Sequence, residues 1–136
     1  MNTMKALTIS QPYAELIASG VKWVENRTWP TNYRGPLAIH AGKGSRYLTK
    51  DELTKYQTGC IVATANLVGC YSLAEIERHA TSTARHSAVP GTLRSWIDFY
   101  EHEHTEGPFC WILADVDRLD EPKSAKGAQG LWEIQL

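Results

Sequence analysis

Lys22, Glu25 and Arg27 put an amine, a carboxylate and a guanidinium on one short stretch, Gly20-Val21-Lys22-Trp23-Val24-Glu25-Asn26-Arg27-Thr28-Trp29. A lysine held beside a glutamate can be tuned by desolvation and by that neighbour into a general base or a nucleophile. An arginine close by can polarise a substrate oxygen or hold a phosphate. The same residues can equally close a helix-to-strand corner as a Glu25–Arg27 or Glu25–Lys22 ion pair, because charges on a half-buried strand are costly unless paired. A strand alternates faces, so Glu25 and Arg27 share a side with Trp23 while Lys22 points the other way. For the three to act on one cavity, Lys22 must sit in the turn before the strand.

Other residues could serve the same place. Gln11 lies at a strand-to-helix junction, where its amide can face Lys22. His40 ends a strand that runs into Gly42-Lys43-Gly44-Ser45-Arg46, and two glycines around a lysine let the backbone approach an anion closely. The spacing is not that of a Walker loop, and the segment also reads as a flexible connection, with His40 a satisfied strand histidine. A second basic, glycine-containing loop, Pro122 to Gly130, carries Lys126. Arg27 and Arg34 add phosphate-binding capacity, and Trp29 and Tyr33 are candidate stacking platforms for single-stranded bases. Trp23, Trp96, Trp111 and Trp132 read as core.

The elements that must present these residues follow from local pattern. Lys5–Ser10 alternates as a strand, Ser10 can cap a helix, Pro12 suits its first turn, and Tyr13–Ser19 has helical spacing ending at Gly20. Pro36–Ala41 is a second strand, and Leu48–Tyr56 has helical composition with Thr49 or Asp51 near its start. Gly59–Cys70 reads as a central strand buried on both faces. Ser72-Leu73-Ala74-Glu75 matches a capping box, and Thr92–His104 is the longest helical candidate, with Leu93, Trp96, Ile97 and Tyr100 on one face. Pro108–Val116 and Leu131–Leu136 complete the strands. About five strands with short helices and no strict βαβ alternation predict an α+β chain built on a small mixed barrel rather than a doubly wound sheet.

The 136 residues, 43% hydrophobic and 21% charged, fit one domain, residues 1–136, with a sizeable core. No long apolar run suggests a signal or membrane span. Cys60, Cys70 and Cys110 lie in apolar runs without a Cys-x-x-Cys pair, which argues against zinc or a disulfide framework and for thiols in a reducing cytoplasm. The net charge of −1 conceals asymmetry: Lys22 to Lys55 holds seven Lys/Arg against three acids, and Asp98 to Glu121 holds eight acids against Arg118 alone. One part could attract phosphate while the other repels it.

Taken together, Ser10-Gln11-Pro12-Tyr13-Ala14, Gly20-x-Lys22-x-x-Glu25-x-Arg27 followed by Trp29, Arg34-Gly35-Pro36-Leu37-x-Ile39, the apolar strand from Gly59, Trp111, and Lys126-Gly127-x-x-Gly130-x-Trp132 form an ordered set spanning nearly the whole chain. This set resembles the activating signal cointegrator homology (ASCH) domain family, a branch of the PUA-like β-barrels of about five to six strands with short flanking helices. The resemblance implies a cleft at one barrel mouth, lined around Lys22–Arg27 and suited to nucleic acid or a nucleoside. The family includes nucleic-acid-binding domains, a ribonuclease, and small bacterial amidohydrolases that deacetylate acetylated cytidine. Those amidohydrolases use a lysine, a threonine and a distant glutamate. Lys22 matches the lysine, but Glu25 stands at the threonine position, and His86-Ser87-Ala88-Val89-Pro90-Gly91, aligned with the acid, has no carboxylate.

Two functional expectations follow. The first is a module binding single-stranded RNA or DNA, or a modified base, through Gln11, Lys22, Glu25, Arg27, Trp29, Arg34, His40, Lys43 and Lys126. The alternative is a hydrolase of a modified nucleoside or of RNA, without cofactor or metal. In it Lys22 is nucleophile or base, Glu25 its proton partner, and Arg27, Gln11 or His40 a polarising donor. Oligomeric state is left open.

Overall fold

β1 (Thr3–Ile9), with Ala6, Leu7 and Ile9 buried, is flanked on both sides. It pairs in parallel with β3 (Gly35–Ala41) in the register Lys5↔Leu37 to Ile9↔Ala41. It pairs antiparallel with β6 (Leu131–Gln135) from Thr3↔Gln135 to Leu7↔Leu131. The computed structural model describes residues 3–135, so Leu136, expected at the end of the last strand, lies outside the described residues along with Met1 and Asn2. β2 (Val24–Arg27) pairs antiparallel with the start of β5 (Phe109–Ser124), and β4 spans Cys60–Ser72. Among the described residues the strands hydrogen-bond in the order β2-β5-β4-β3-β1-β6. This is a mixed six-stranded sheet accompanied by short helices, as the pattern predicted.

The chain forms two compact units. One comprises the residues up to Lys22, Pro36–Asn66 and those from Asp115 onward; the other comprises Trp23–Gly35 and Leu67–Ala114. Neither is continuous in sequence, since β4 and β5 each contribute to both, so no linker composition marks the division. In the first unit Ala6, Ala38 and Ile61 are buried together beneath Met4, Leu119, Trp132 and Ile134. In the second, Val24, Ile76, Val89, Trp96, Phe99 and Ile112 form the buried centre.

α1 (Tyr13–Ala18) follows β1, and Gly20 closes it with φ of 83°, the left-handed geometry glycine adopts without strain. The expected hydroxyl cap from Ser10 is replaced. The Ser10 carbonyl accepts from Tyr13 N, and the Gln11 amide oxygen accepts from Glu15 N at 2.9 Å. α2 (Leu73–Ala80) begins with the predicted reciprocal box, Ser72 Oγ accepting from Glu75 N and Glu75 Oε1 from Ser72 N.

Three expectations are corrected. Leu48–Tyr56 yields one 3-10 turn at Lys50–Glu52, capped by Thr49; no residue of that turn is buried, so nothing rewards propagation into a longer helix. The helix expected from Thr92 is α3 (Trp96–Glu101), capped by Ser95. Thr92 Oγ1 donates to the Val89 and Arg94 carbonyls, folding residues 89–95 into a turn that leaves Leu93 fully exposed and off the apolar face. β5 runs to Ser124, absorbing Pro122 and Lys123 from the predicted loop. Its acidic second half, with Asp117, Asp120 and Glu121 exposed, extends past the residues that pair with β2, where charge discourages edge-to-edge association. β4 also departs in part: its first four residues are buried, and beyond Ala63 burial alternates.

Candidate functional site

In the first unit, the turn after β3, the approach to β4 and the segment after β5 are stitched together by backbone hydrogen bonds. Gly59 N donates to Ala41 O at 2.7 Å, Ala125 N to Gly59 O at 3.1 Å, and Gly42 N to Ile9 O at 3.0 Å. They border an open cavity of about 1020 Å³, so the two glycine-lysine loops picked out in the sequence line one space. Lys43 and Lys126, both exposed, are its charged rim, and among the described residues no Asp or Glu lines it. The Lys43 stem crosses Gly59, whose φ of 69° favours glycine; a Cβ there would sit 2.7 Å from Lys43 Cε, on a flexible side chain able to move aside.

Thr8 and His40, register partners on β1 and β3, form the wall beneath. His40 is 2% exposed. Its Nε2 lies 2.8 Å from the Ala125 carbonyl, which can only accept, so Nε2 carries the proton. Nδ1 lies 3.1 Å from Thr8 Oγ1, which itself accepts from Trp132 Nε1 at 3.1 Å. With neutral imidazole the proton order is Trp132 to Thr8 to His40 to Ala125. Gly127 lies directly against this chain: a Cβ there would come within 2.7 Å of His40 Cε1 and 2.8 Å of Thr8 Oγ1. Thr8 was not singled out by the sequence, because a lone threonine on an alternating strand carries no signal until its register is known.

A second cavity, about 550 Å³, has Gln11, Glu15, Lys55, Arg118 and Asp120 in its lining. Its charges are balanced, and Arg118 donates to both Glu15 carboxylate oxygens, which holds the Glu15 carboxyl below its ordinary value. Gln11, 1% exposed, uses its amide structurally, with Nε2 donating to Gln57 O at 2.8 Å in addition to the cap on α1.

Lys22 is 3% exposed; its backbone N donates to Leu16 O, and its ammonium lies 5.6 Å from the Tyr13 ring centroid. Tyr13 meets Tyr47 edge-on at 5.3 Å, and the Arg46 guanidinium lies 5.4 Å from the Tyr47 ring. Tyr47 is 47% exposed, an aromatic face with a cation beside it that sequence reading passed over for Trp29 and Tyr33.

In the second unit Glu25 and Arg27 share a face of β2 and pair at 3.1 Å, the ion pair anticipated as the structural option. Trp29 is half-buried, edge-on to Trp111 at 4.7 Å, with its carbonyl accepting from Trp111 Nε1. Arg34 is exposed and folds back, Nη1 donating to the Thr31 and Tyr33 carbonyls. Trp23, expected in the core, is half-buried between the Arg94 guanidinium at 3.3 Å and the His102 ring stacked at 4.0 Å. No cluster of three or more His, Cys, Asp or Glu among the described residues could hold a metal, and none of the described helices is long and apolar enough to cross a membrane.

The human activating signal cointegrator 1 (Homo sapiens) is 29% identical over 94% of this chain and 22% of its own length. The mouse protein of the same name (Mus musculus) is 29% identical over 60% of this chain and 17% of its own. The chain thus spans about a fifth of the length of these curated relatives. The crystal structure of ASCH from Zymomonas mobilis shares the fold, with a TM-score of 0.53 at 15% identity over 96% of this chain and 87% of that one. The ASCH domain pattern matches residues 7–123, and the chain belongs to the ASCH domain family.

Proposed function

We propose that this ASCH chain binds single-stranded nucleic acid, with the cavity between the Gly42–Lys43 and Ser124–Gln129 segments receiving the sugar-phosphate backbone. The observation that carries the reading is the one-sided charge of that cavity: two lysines against no carboxylate among the described residues, in a space the size of a small-ligand site. The 550 Å³ cavity, with its Glu15–Arg118 pair and Asp120, offers phosphate no comparable advantage. Tyr47 with Arg46 supplies an exposed ring on which a base could stack, an interaction that tolerates any sequence. Titrating a labelled protein with a uridine hexamer and following backbone amide shifts tests the assignment. Shifts concentrated at residues 42–43, 58–59 and 124–129, with Tyr47, are expected; shifts that spare those segments refute it.

Hydrolysis of a modified nucleoside is a second reading favoured by one feature. Lys22 is buried beside the Tyr13 ring, at the position that matches the lysine of the acetylated-cytidine amidohydrolases. Release of acetate from acetylated cytidine, lost in Lys22→Met, would support it, and no turnover would refute it.

A further inference from the structure

We infer that His40 is a third, conditional cation of the phosphate cavity: it takes up a proton when a phosphodiester binds, and the Thr8 hydroxyl is the relay that permits it. The inference rests on the nucleic-acid reading of this cavity. In the unliganded arrangement the Ala125 carbonyl fixes the proton on Nε2, and Nδ1 accepts from Thr8 Oγ1. Adding a proton at Nδ1 breaks no contact irreparably. Thr8 Oγ1 has two lone pairs and can accept from both Trp132 Nε1 and His40 Nδ1, its own hydrogen rotating away. The network therefore accommodates imidazole and imidazolium by one hydroxyl rotation, without moving a ring.

The surroundings decide which form prevails. Among the described residues, Thr8 on β1, Trp132 on β6, edge-on at 5.4 Å, and the Ala125–Gly127 backbone face His40. The other titratable side chains lining the cavity are Lys43 and Lys126, both cationic. With no anion in the cavity, the two lysine charges oppose a third beside them. A bound phosphodiester reverses the sign of the field, and imidazole is the side chain whose charge changes between pH 5 and 8. Binding and protonation are then reciprocal: a proton taken up on binding means tighter binding at lower pH.

Uridine oligonucleotides keep constant charge between pH 5.5 and 8, so a rhodamine-labelled uridine hexamer isolates the protein's contribution. Its affinity is expected to rise roughly tenfold from pH 8 to pH 5.5, the effect of one added unit charge near a phosphate in a partly hydrated site. His40→Gln keeps a donor for Ala125 but does not titrate, and should lose most of the rise whatever its affinity at pH 8. An equal rise in His40→Gln overturns the inference while leaving the nucleic-acid reading intact; absence of binding at every pH removes both. Calorimetry of the native protein near pH 6.5, in buffers of different ionisation enthalpy, gives a reading that needs no variant. Uptake of about half a proton per hexamer is expected, in keeping with a tenfold rise, and zero uptake overturns the proposal.

Discussion

Gly127→Ala should destabilise this protein although alanine is among the mildest of substitutions. The added methyl would stand 2.7 Å from His40 Cε1 and 2.8 Å from Thr8 Oγ1, where ordinary contact begins at 3.4 Å, a shortfall of about 0.7 Å. Neither neighbour can yield cheaply, since both are held on paired strands. The segment after β5 must lift instead, drawing the Ala125 carbonyl away from His40 Nε2. Overpacking of this kind costs typically 1–3 kcal/mol, and a buried donor left without its acceptor costs a similar amount. A loss of about 2 kcal/mol, or roughly 6–10 °C in Tm for a domain of this size, is expected. Gly44→Ala, in the other basic loop, is the matched control: nothing lies within 4 Å of its Cβ position, so that variant should be neutral or slightly stabilised. Urea denaturation of both variants beside the native protein gives the comparison. Equal stability of the two would refute the tight packing of Gly127 on the Thr8–His40 bond.

Tyr47→Ala should weaken hexamer binding by about 1–3 kcal/mol, the usual worth of a base stacked on an aromatic ring, with a smaller loss of stability from the Tyr13 contact; unchanged affinity by fluorescence anisotropy would exclude Tyr47 as a platform. Ser95→Ala removes the acceptor for Asp98 N at the start of α3 and should lower stability by about 1 kcal/mol, whereas Leu93→Ser, at a fully exposed turn position, should have no measurable effect in the same denaturation assay. The Glu75 carboxyl is lowered from its ordinary 4.5, chiefly by the hydrogen bond from Ser72 N. Its contribution is therefore complete above pH 4.5 and is lost as pH falls through the lower folded value. Glu75→Gln, which keeps the reciprocal bond but cannot titrate, should show a shallower loss of stability between pH 5 and pH 3 than the native protein.

Much of this arrangement was legible in the residues because its causes are local. Ser72 and Glu75 announce a reciprocal cap at fixed spacing, and Gly20 marks a left-handed helix end. Lys43 and Lys126, each beside glycine, announced loops able to approach an anion. What was not legible depended on partners distant in sequence. Thr8 matters only because the parallel register sets it against His40, 32 positions away, and because Trp132 reaches it from β6. Leu93 mimicked a helical face until the Thr92 hydroxyl bonds made a turn there. Arg94 was passed over for the same reason, since that turn is what sets its guanidinium over Trp23.

The most direct test of the central claim is the salt dependence of uridine-hexamer affinity in the Lys43→Ala/Lys126→Ala double variant. If both lysines contact the backbone, the plot of log affinity against log salt should lose about 1.4 of its slope, two single-strand phosphate contacts' worth, with weaker binding at low salt. A double variant with the slope and affinity of the native protein would contradict the assignment of this cavity to nucleic acid.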